Sequence, residues 1–388
     1  MESRSLPMDL AEEILSRVPA KSVARLRSKC KGWNALLKSR SFVEMHTAKA
    51  PKEESLVIML IHSRVYLVRI AFRGNHDKKV APSAKVASRL YLKDPLSNSS
   101  QADIRNVFHC EGLFLCTTED NRLVVWNPCS RETKWIKPRD SYKEFDYYAL
   151  GYDNKSSCKQ YKILRVDRHQ VIPIKNEYEI YDFTSNSWRV VGVATDWFLA
   201  LSRRGISVKW NTYWVATQAG TPHAEYLLSF DFSTERFQTL PLPHRYTNAV
   251  LSAIGEEQLC LLCTSFKYSM ETLELDFQVW VANSTGSVWS WSKSSLVVDY
   301  YRPIMYSNGM SFLVDEHNEV VMCLRDNDTL HIACKDIYTN THIVGGNLGG
   351  DSTCISSSCS VLLNYVPSLV QIQQGGRRKR KTPSTCDL

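Results

Sequence analysis

Leu6-Pro7-Met8-Asp9-Leu10-Ala11-Glu12-Glu13-Ile14-Leu15-Ser16-Arg17-Val18-Pro19 sets apolar residues at helical spacing and then stops on a proline. Leu10, Ile14 and Val18 share one stripe, which Ala11 and Leu15 widen. Asp9 suits an N-cap, with Glu12 three residues on completing a capping-box-like pair and Glu13 also near the positive helix end. Pro19 ends the helix, because the residue before a proline is pushed out of the α region. It also suits the start of a next helix, where its missing N–H costs little. That second helix is expected over about Ala20 to Cys30. Gly32 then marks a break before a third helix containing Trp33, Leu36 and Leu37. With Val23, Leu26, Phe42 and Met45 added, residues 1–46 hold more large apolar groups than so short a segment can bury against itself. A three-helix module that takes a partner is the expectation.

Composition narrows the rest. The chain has 388 residues with 44% hydrophobic content, enough for a large domain beside the small one and against global disorder. Ten Trp and eighteen Tyr favour β structure with half-buried aromatic positions. The N-terminus is amphipathic rather than a basic stub before an apolar run, so no signal peptide is expected. The longest apolar stretch, Leu56 to Ile61, is too short to span a bilayer. An intracellular chain with no membrane partner follows as the expectation. The twelve cysteines are then reduced thiols packed as small hydrophobes. Cys260 and Cys263 lie in a strand-like run where residues three apart point to opposite faces. Cys354 and Cys359 lack the histidine pair or second CxxC of a zinc site. Of the net charge of +8, residues 1–50 supply ten Lys/Arg against five Asp/Glu, and residues 377–381 supply five more positive charges. The middle is near neutral, so nucleic acid is not expected as a partner.

Beyond a polar linker at 47–55, the helical period disappears. Leu56–Ile61 and Val65–Phe72 look like paired strands, and Arg73 to Asp103 like a long loop interrupted near Arg89 to Leu92. Four similar units then follow, each a strand, a polar turn and an aromatic: 123–135, 178–188, 227–237 and the looser 277–289. Their anchors Trp126, Tyr181, Phe230 and Trp280 are separated by 55, 49 and 50 residues, a period that fits four-stranded propeller blades. An aromatic recurring once per blade reads as a core wedge, with ligand contacts coming from loops on one face. The length allows six blades and leaves ring closure open.

The opening segment resembles the F-box, the helical module by which substrate receptors attach to the Skp-family adaptor of cullin–RING ubiquitin ligases. The matches run in register from Leu6, Pro7, Asp9, Leu10, Glu13, Ile14, Leu15, Arg17 and Pro19 through Lys21, Ser22, Arg25, Arg27, Cys30, Lys31, Trp33, Leu36, Leu37, Ser39, Phe42 and His46. Val18, Val23 and Leu26 are mild departures. Lys29 is a departure in kind, standing where the family places an uncharged residue. The resemblance implies adaptor binding through Leu6, Pro7, Leu10, Ile14, Leu15, Pro19, Leu26 and Trp33. The body is similar to the plant F-box-associated domain, a kelch-like family, through Trp126-Asn127-Pro128, Ala149-Leu150-Gly151-Tyr152-Asp153, Tyr161-Lys162-Ile163-Leu164, Leu240-Pro241-Leu242-Pro243 and Tyr365-Val366-Pro367-Ser368-Leu369. The expected organisation is an F-box over 1–46, a propeller-like β domain over 56–370, and a basic disordered tail over 371–388.

Searching for chemistry turns up little. No P-loop, HExxH, GxSxG or dinucleotide fingerprint occurs. Gly345 to Gly350 lacks a lysine and a following helix, and His331 with Cys334 has no third ligand. No enzyme activity, metal or cofactor is expected. The resemblance implies a non-catalytic receptor whose F-box docks the adaptor and whose β domain recruits an unidentified target for ubiquitination. The alternative is a propeller interaction module acting outside ubiquitination. Arg377-Arg378-Lys379-Arg380-Lys381 suggests nuclear import, giving a nuclear and/or cytoplasmic expectation.

Overall fold

The computed structural model describes residues 7–27, 29, 31–51, 55–72, 82–96, 101–140, 142–143, 145–155, 159–167, 174–200, 203–221, 224–243, 246, 248–255, 257–268, 273–285, 288–294, 311–324, 329–334, 337–343 and 361–373. Four helices come first: α1 (Met8–Ser16), α2 (Ala20–Leu26), α3 (Lys31–Leu37) and α4 (Arg40–Lys49). The helical module therefore has one helix more than expected. Ser39 starts α4, its hydroxyl accepting the Phe42 N–H at 3.2 Å. Asp9 is not the N-cap of α1. Pro7 takes that position with extended backbone and no side-chain cap, and Asp9 sits inside the first turn, where it still meets the positive helix end. Pro19 caps α2 in the same way, and α2 ends at Leu26, short of Cys30. Gly32 lies within α3 instead of breaking the chain before it.

Six four-stranded antiparallel blades follow. Blade one holds β4 (Ile104–Cys110), β5 (Leu113–Thr118), β6 (Leu123–Asn127) and β7 (Glu132–Ile136). Blade two holds β8 (Tyr147–Asp153), β9 (Gln160–Asp167), β10 (Asn176–Asp182) and β11 (Ser187–Ala194). In blade three the inner strand is split into β12 (Trp197–Phe198) and β13 (Ile206–Val208), both pairing with β14 (Asn211–Gln218), ahead of β15 (Glu225–Asp231) and β16 (Arg236–Leu240). Blade four is β17 (Asn248–Ile254), β18 (Gln258–Tyr268), β19 (Leu273–Thr285) and β20 (Val288–Lys293). Blade five is β21 (Ser311–Asp315), β22 (Val320–Leu324), β23 (Thr329–Cys334) and β24 (Ile337–His342). The sixth joins both chain ends: β25 (Val361–Asn364) pairs with β1 (Leu56–Ile61), which pairs with β2 (Arg64–Ala71) and then β3 (Ser83–Leu90). Its register runs Val57↔Asn364 to Leu60↔Val361, so the ring closes by pairing its two ends.

Strand β1 shows why the alternating pattern is lost in a propeller. All six of its residues are buried. Leu56, Ile58 and Leu60 face blade one, while Val57, Met59 and Ile61 face blade five. Neighbouring sheets cover both faces of a blade, so a strand becomes a continuous apolar run. Cys260 and Cys263 obey the same rule: Cys260 packs between blades four and five, and Cys263 between blades three and four. Strand β3 marks the opposite case. It lies within the stretch expected to be loop, and Ser83, Lys85 and Arg89 are exposed because it is the outermost strand of its blade. Backbone pairing with β2, from Val65↔Leu90 to Ala71↔Ser83, makes it a strand.

The aromatic anchors Trp126, Tyr181, Phe230 and Trp280 all lie on the third strand of their blades. Tyr181 sits opposite Trp188 with rings 5.3 Å apart, and Phe230 opposite Phe237 at 4.8 Å. The first and fourth copies keep the hairpin but shift the pairing: Trp126 faces Thr133, and Trp280 faces Lys293. Inner-strand serines join successive blades. Ser207 donates to Leu150 O at 2.9 Å, Ser252 to Phe312 O at 2.6 Å, and Ser311 to Leu362 O at 3.0 Å.

Candidate functional site

Two surfaces of the chain present exposed apolar side chains. The first is α1. Ala11 is buried, and Leu15 packs against the module core of Ala20, Val23, Leu37 and Phe42. Met8, Leu10 and Ile14 turn outward and are 56%, 53% and 54% exposed. Leu10 and Ile14 are one helical turn apart and so lie side by side. Isolated exposed leucines are ordinary, but Leu10 and Ile14 side by side on one short helix form an apolar stripe, with Met8 also exposed in its first turn. The helix is held from behind by Glu13, which accepts from Arg17 at 2.7 Å and from Lys49 of α4 at 2.5 Å. Both cations hold the Glu13 carboxyl below its usual pKa. His46 of α4 is buried, its Nε2 lying 2.8 Å from Val18 O, which braces the α1–α2 junction.

The eight residues expected at the adaptor surface separate into groups. Pro7, Leu10 and Ile14 are exposed. Leu15, Pro19, Leu26 and Trp33 are half-buried, and Leu15, Leu26 and Trp33 pack against the module's own core. Leu6 lies outside the described residues. Lys29 is exposed, so its ammonium meets water and carries no burial penalty.

The second surface is one rim of the propeller. In each blade the turns between the first and second strands, and between the third and fourth, fall on one rim. The remaining connections fall on the other. The helical module occupies the first rim, where Cys129 of the β6–β7 turn joins the module core. The opposite rim carries Tyr91, Leu96 and Phe145, which are 67%, 79% and 48% exposed. Its connections are tied down by ions: Arg122 pairs with Asp94 at 2.8 Å and lies 4.6 Å over the Trp135 ring. Beneath the rim, buried Arg165 donates to Asp146 and Glu179, each at 2.7 Å. Burial raises the Asp146 pKa despite that guanidinium. On the same rim a cleft of about 500 Å³ is lined by Asp196, Gln218, Tyr226, Thr239, Leu240 and Pro241.

Chemistry on these surfaces is sparse. Among the described residues, no group of three His, Cys, Asp or Glu is arranged to hold a metal ion. Burial pushes the Cys263 thiol up to about 12 and raises Cys260 as well, the reverse of an activated nucleophile. Cys354, Cys359, Gly345 to Gly350 and the basic run 377–381 lie outside the described residues. No helix among the described residues is long and apolar enough to cross a membrane.

Sequence reading alone did not find the serine contacts between blades. A lone Ser on an inner strand carries no signal until the neighbouring blade is in place.

Two family models match the chain: an F-box domain over residues 4–44 and an F-box associated beta propeller domain over residues 56–372. "Putative F-box protein At3g23260" of Arabidopsis thaliana is 53% identical over 381 residues, covering 96% of this chain and all of that one. "F-box/kelch-repeat protein At3g17530" of the same plant is 41% identical, with 95% of each chain covered. Among solved structures, the chain titled "YCF48 bound to D1 peptide" aligns at a TM-score of 0.31 and 8% identity, over 75% of this chain and 81% of that one.

Proposed function

The chain belongs to the F-box proteins that carry an F-box-associated propeller, and from that membership we propose that it is a non-catalytic substrate receptor of a Skp–cullin–F-box ubiquitin ligase. The observation that carries this reading is the exposed Leu10–Ile14 stripe on α1 of the F-box. A Skp-family adaptor that covers it removes apolar surface from water without disturbing the core behind it. The propeller contributes proximity: a target held on the rim away from the F-box has its lysines at high effective concentration near the loaded conjugating enzyme. That task requires no nucleophile or cofactor on this chain. The basic tail Arg377 to Lys381 serves as a nuclear-import signal in the same reading. Its deletion is expected to shift a tagged chain toward the cytoplasm, and an unchanged nuclear signal would count against it.

Capture of a recombinant Skp-family adaptor tests the central claim. The wild-type chain is expected to retain the adaptor and Leu10→Asp/Ile14→Asp to lose it, with helical circular dichroism unchanged because both positions face water. Equal capture by both chains would refute the docking surface.

A further inference from the structure

We propose that the C-terminal segment 365–373 is a clamp that sets the direction of the F-box on the propeller, with Arg27 as its positioning residue. After closing the ring through β25, the chain turns back beneath blade one instead of leaving the fold. Gly112 makes room for it: this residue has φ +78°, and a Cβ there would lie 2.4 Å from Ser368 Cβ. Buried Asn127 donates from Nδ2 to Ser368 O at 3.0 Å and to Val370 O at 2.7 Å. Its Oδ1 accepts the Cys129 and Ser130 N–H groups, so one side chain holds both the blade-one turn and the segment. Lys134 adds a bond to Gln373 O at 3.0 Å.

The other side of the segment belongs to the F-box. The Leu369 side chain is 1% exposed and completes the F-box core with Val23, Leu37 and Phe42. Arg27, its side chain 9% exposed, donates from Nη2 to Leu37 O and Leu369 O, each at 3.1 Å. Its Nη1 lies 3.5 Å from Glu132 Oε1 at the start of β7. The guanidinium thus touches α3, the clamp and the propeller together. Glu132 also pairs with Lys38 at 3.7 Å and accepts the Ile372 N–H, and Gln371 donates to Lys38 O at 2.5 Å.

These bonds are directional and end mostly on backbone carbonyls, so they define an angle as well as an attachment. The covalent connection alone would not: residues 50–55 separate α4 from β1, and a chain of six residues attaches the module without by itself specifying an angle. The consequence for ubiquitin transfer, a target rim presented in a constant direction from the adaptor, rests on the receptor reading. The orientation itself does not.

The test is a distance distribution in the full chain without adaptor. Spin labels are carried on ketone-bearing residues introduced at exposed Ala48 and Gln238, which leaves the native cysteines untouched. The otherwise wild-type chain is expected to give one narrow distance. Arg27→Ala and Glu132→Ala should widen it at least twofold in chains whose helical signal is intact, with Arg27→Lys recovering part of the narrowing. A residue that only stabilised the module would lower its melting temperature and leave the width of the folded population unchanged. Should Arg27→Ala melt the F-box, Glu132→Gln and Gln371→Ala carry the comparison, since both residues are only half-buried and neither belongs to the apolar core of the module. Unchanged widths in the folded variants, or a broad distribution in the wild-type background, would overturn the clamp whether or not the chain binds an adaptor.

Discussion

Ser311→Ala is expected to weaken ring closure by a calculable amount. Ser311 opens the inner strand of blade five and is 8% exposed. Its hydroxyl donates to Leu362 O at 3.0 Å and accepts the Leu362 N–H at 3.1 Å, so one side chain satisfies both backbone groups of a residue that is itself 1% exposed. Alanine fills most of the same volume, so the cavity contribution is small and the loss is mainly polar. Each buried group left without a partner costs about 1–3 kcal/mol, giving a combined loss of about 3 kcal/mol. That is about two orders of magnitude in the folding equilibrium. Ser252 holds a single carbonyl, Phe312 O, in the equivalent place one blade earlier, so Ser252→Ala should cost about half as much. Urea unfolding followed by tryptophan fluorescence measures both losses. Native-state hydrogen exchange locates them: protection in β25 and β1 should fall before that in β9 of blade two. A Ser311→Ala loss below about 0.5 kcal/mol, the range of ordinary surface changes, would refute the assignment. So would an equal fall in protection around the whole ring.

Three further outcomes follow from buried groups. His109 Nε2 accepts the Gly112 N–H at 3.0 Å, and burial brings its pKa down from 6.5 to about 4. The ring is therefore neutral when folded and charged when unfolded below pH 6.5, so stability should fall as pH drops from about 6.5 to about 4. With the ring partly accessible, the loss should reach about 2 kcal/mol; urea midpoints at pH 7 and 4.5 should converge in His109→Phe, and an unchanged gap would reject the attribution. Lys162 is buried, with its ammonium 3.4 Å from Asp153 of its own blade and, across the blade two–three boundary, 2.9 Å from Glu235 and 3.1 Å from Phe232 O. Lys162→Met leaves Asp153 without its cation and Glu235 with Arg189 alone, and should cost about 1–3 kcal/mol in denaturant unfolding; a loss under about 0.5 kcal/mol would show that water already screens the cluster. At Gly151 a Cβ would lie 2.2 Å from the Phe232 ring, so Gly151→Ala should cost about 1–3 kcal/mol. Phe232→Leu in the same chain should recover part of that loss if the clash is the cause.

Much of the fold was legible because its signals are local. The helical spacing of Leu10, Ile14 and Val18 and the stop at Pro19 need no distant residue to be read. The recurrence of Trp126, Tyr181, Phe230 and Trp280 gave the blade period, because each hairpin repeats one short phrase. Blade five escaped that reading: its third strand, Thr329–Cys334, has no aromatic anchor. Strand β3 escaped because an outermost strand has a polar composition, and its pairing partner rather than its residues makes it a strand. The extra helix α4 depends on the Ser39 cap, a single-residue signal easily lost beside the stronger pattern of Trp33, Leu36 and Leu37.

By itself, then, the sequence determined the kind of module at each end of the argument: a short amphipathic helical segment, and a β body repeating at about fifty residues. Tertiary structure alone decided how the seven described contact residues divide between the outside and the core, since each helix turns only one face to its neighbours. It alone closed the ring, because Val57 and Asn364 pair across more than three hundred residues of chain and no local pattern encodes that register. It also showed that Tyr365 to Gln373, whose first five residues read only as a family phrase, touches both modules. No local pattern pairs Arg27, Leu369 and Glu132 with one another. Their directional bonds exist only once the two ends of the chain have met.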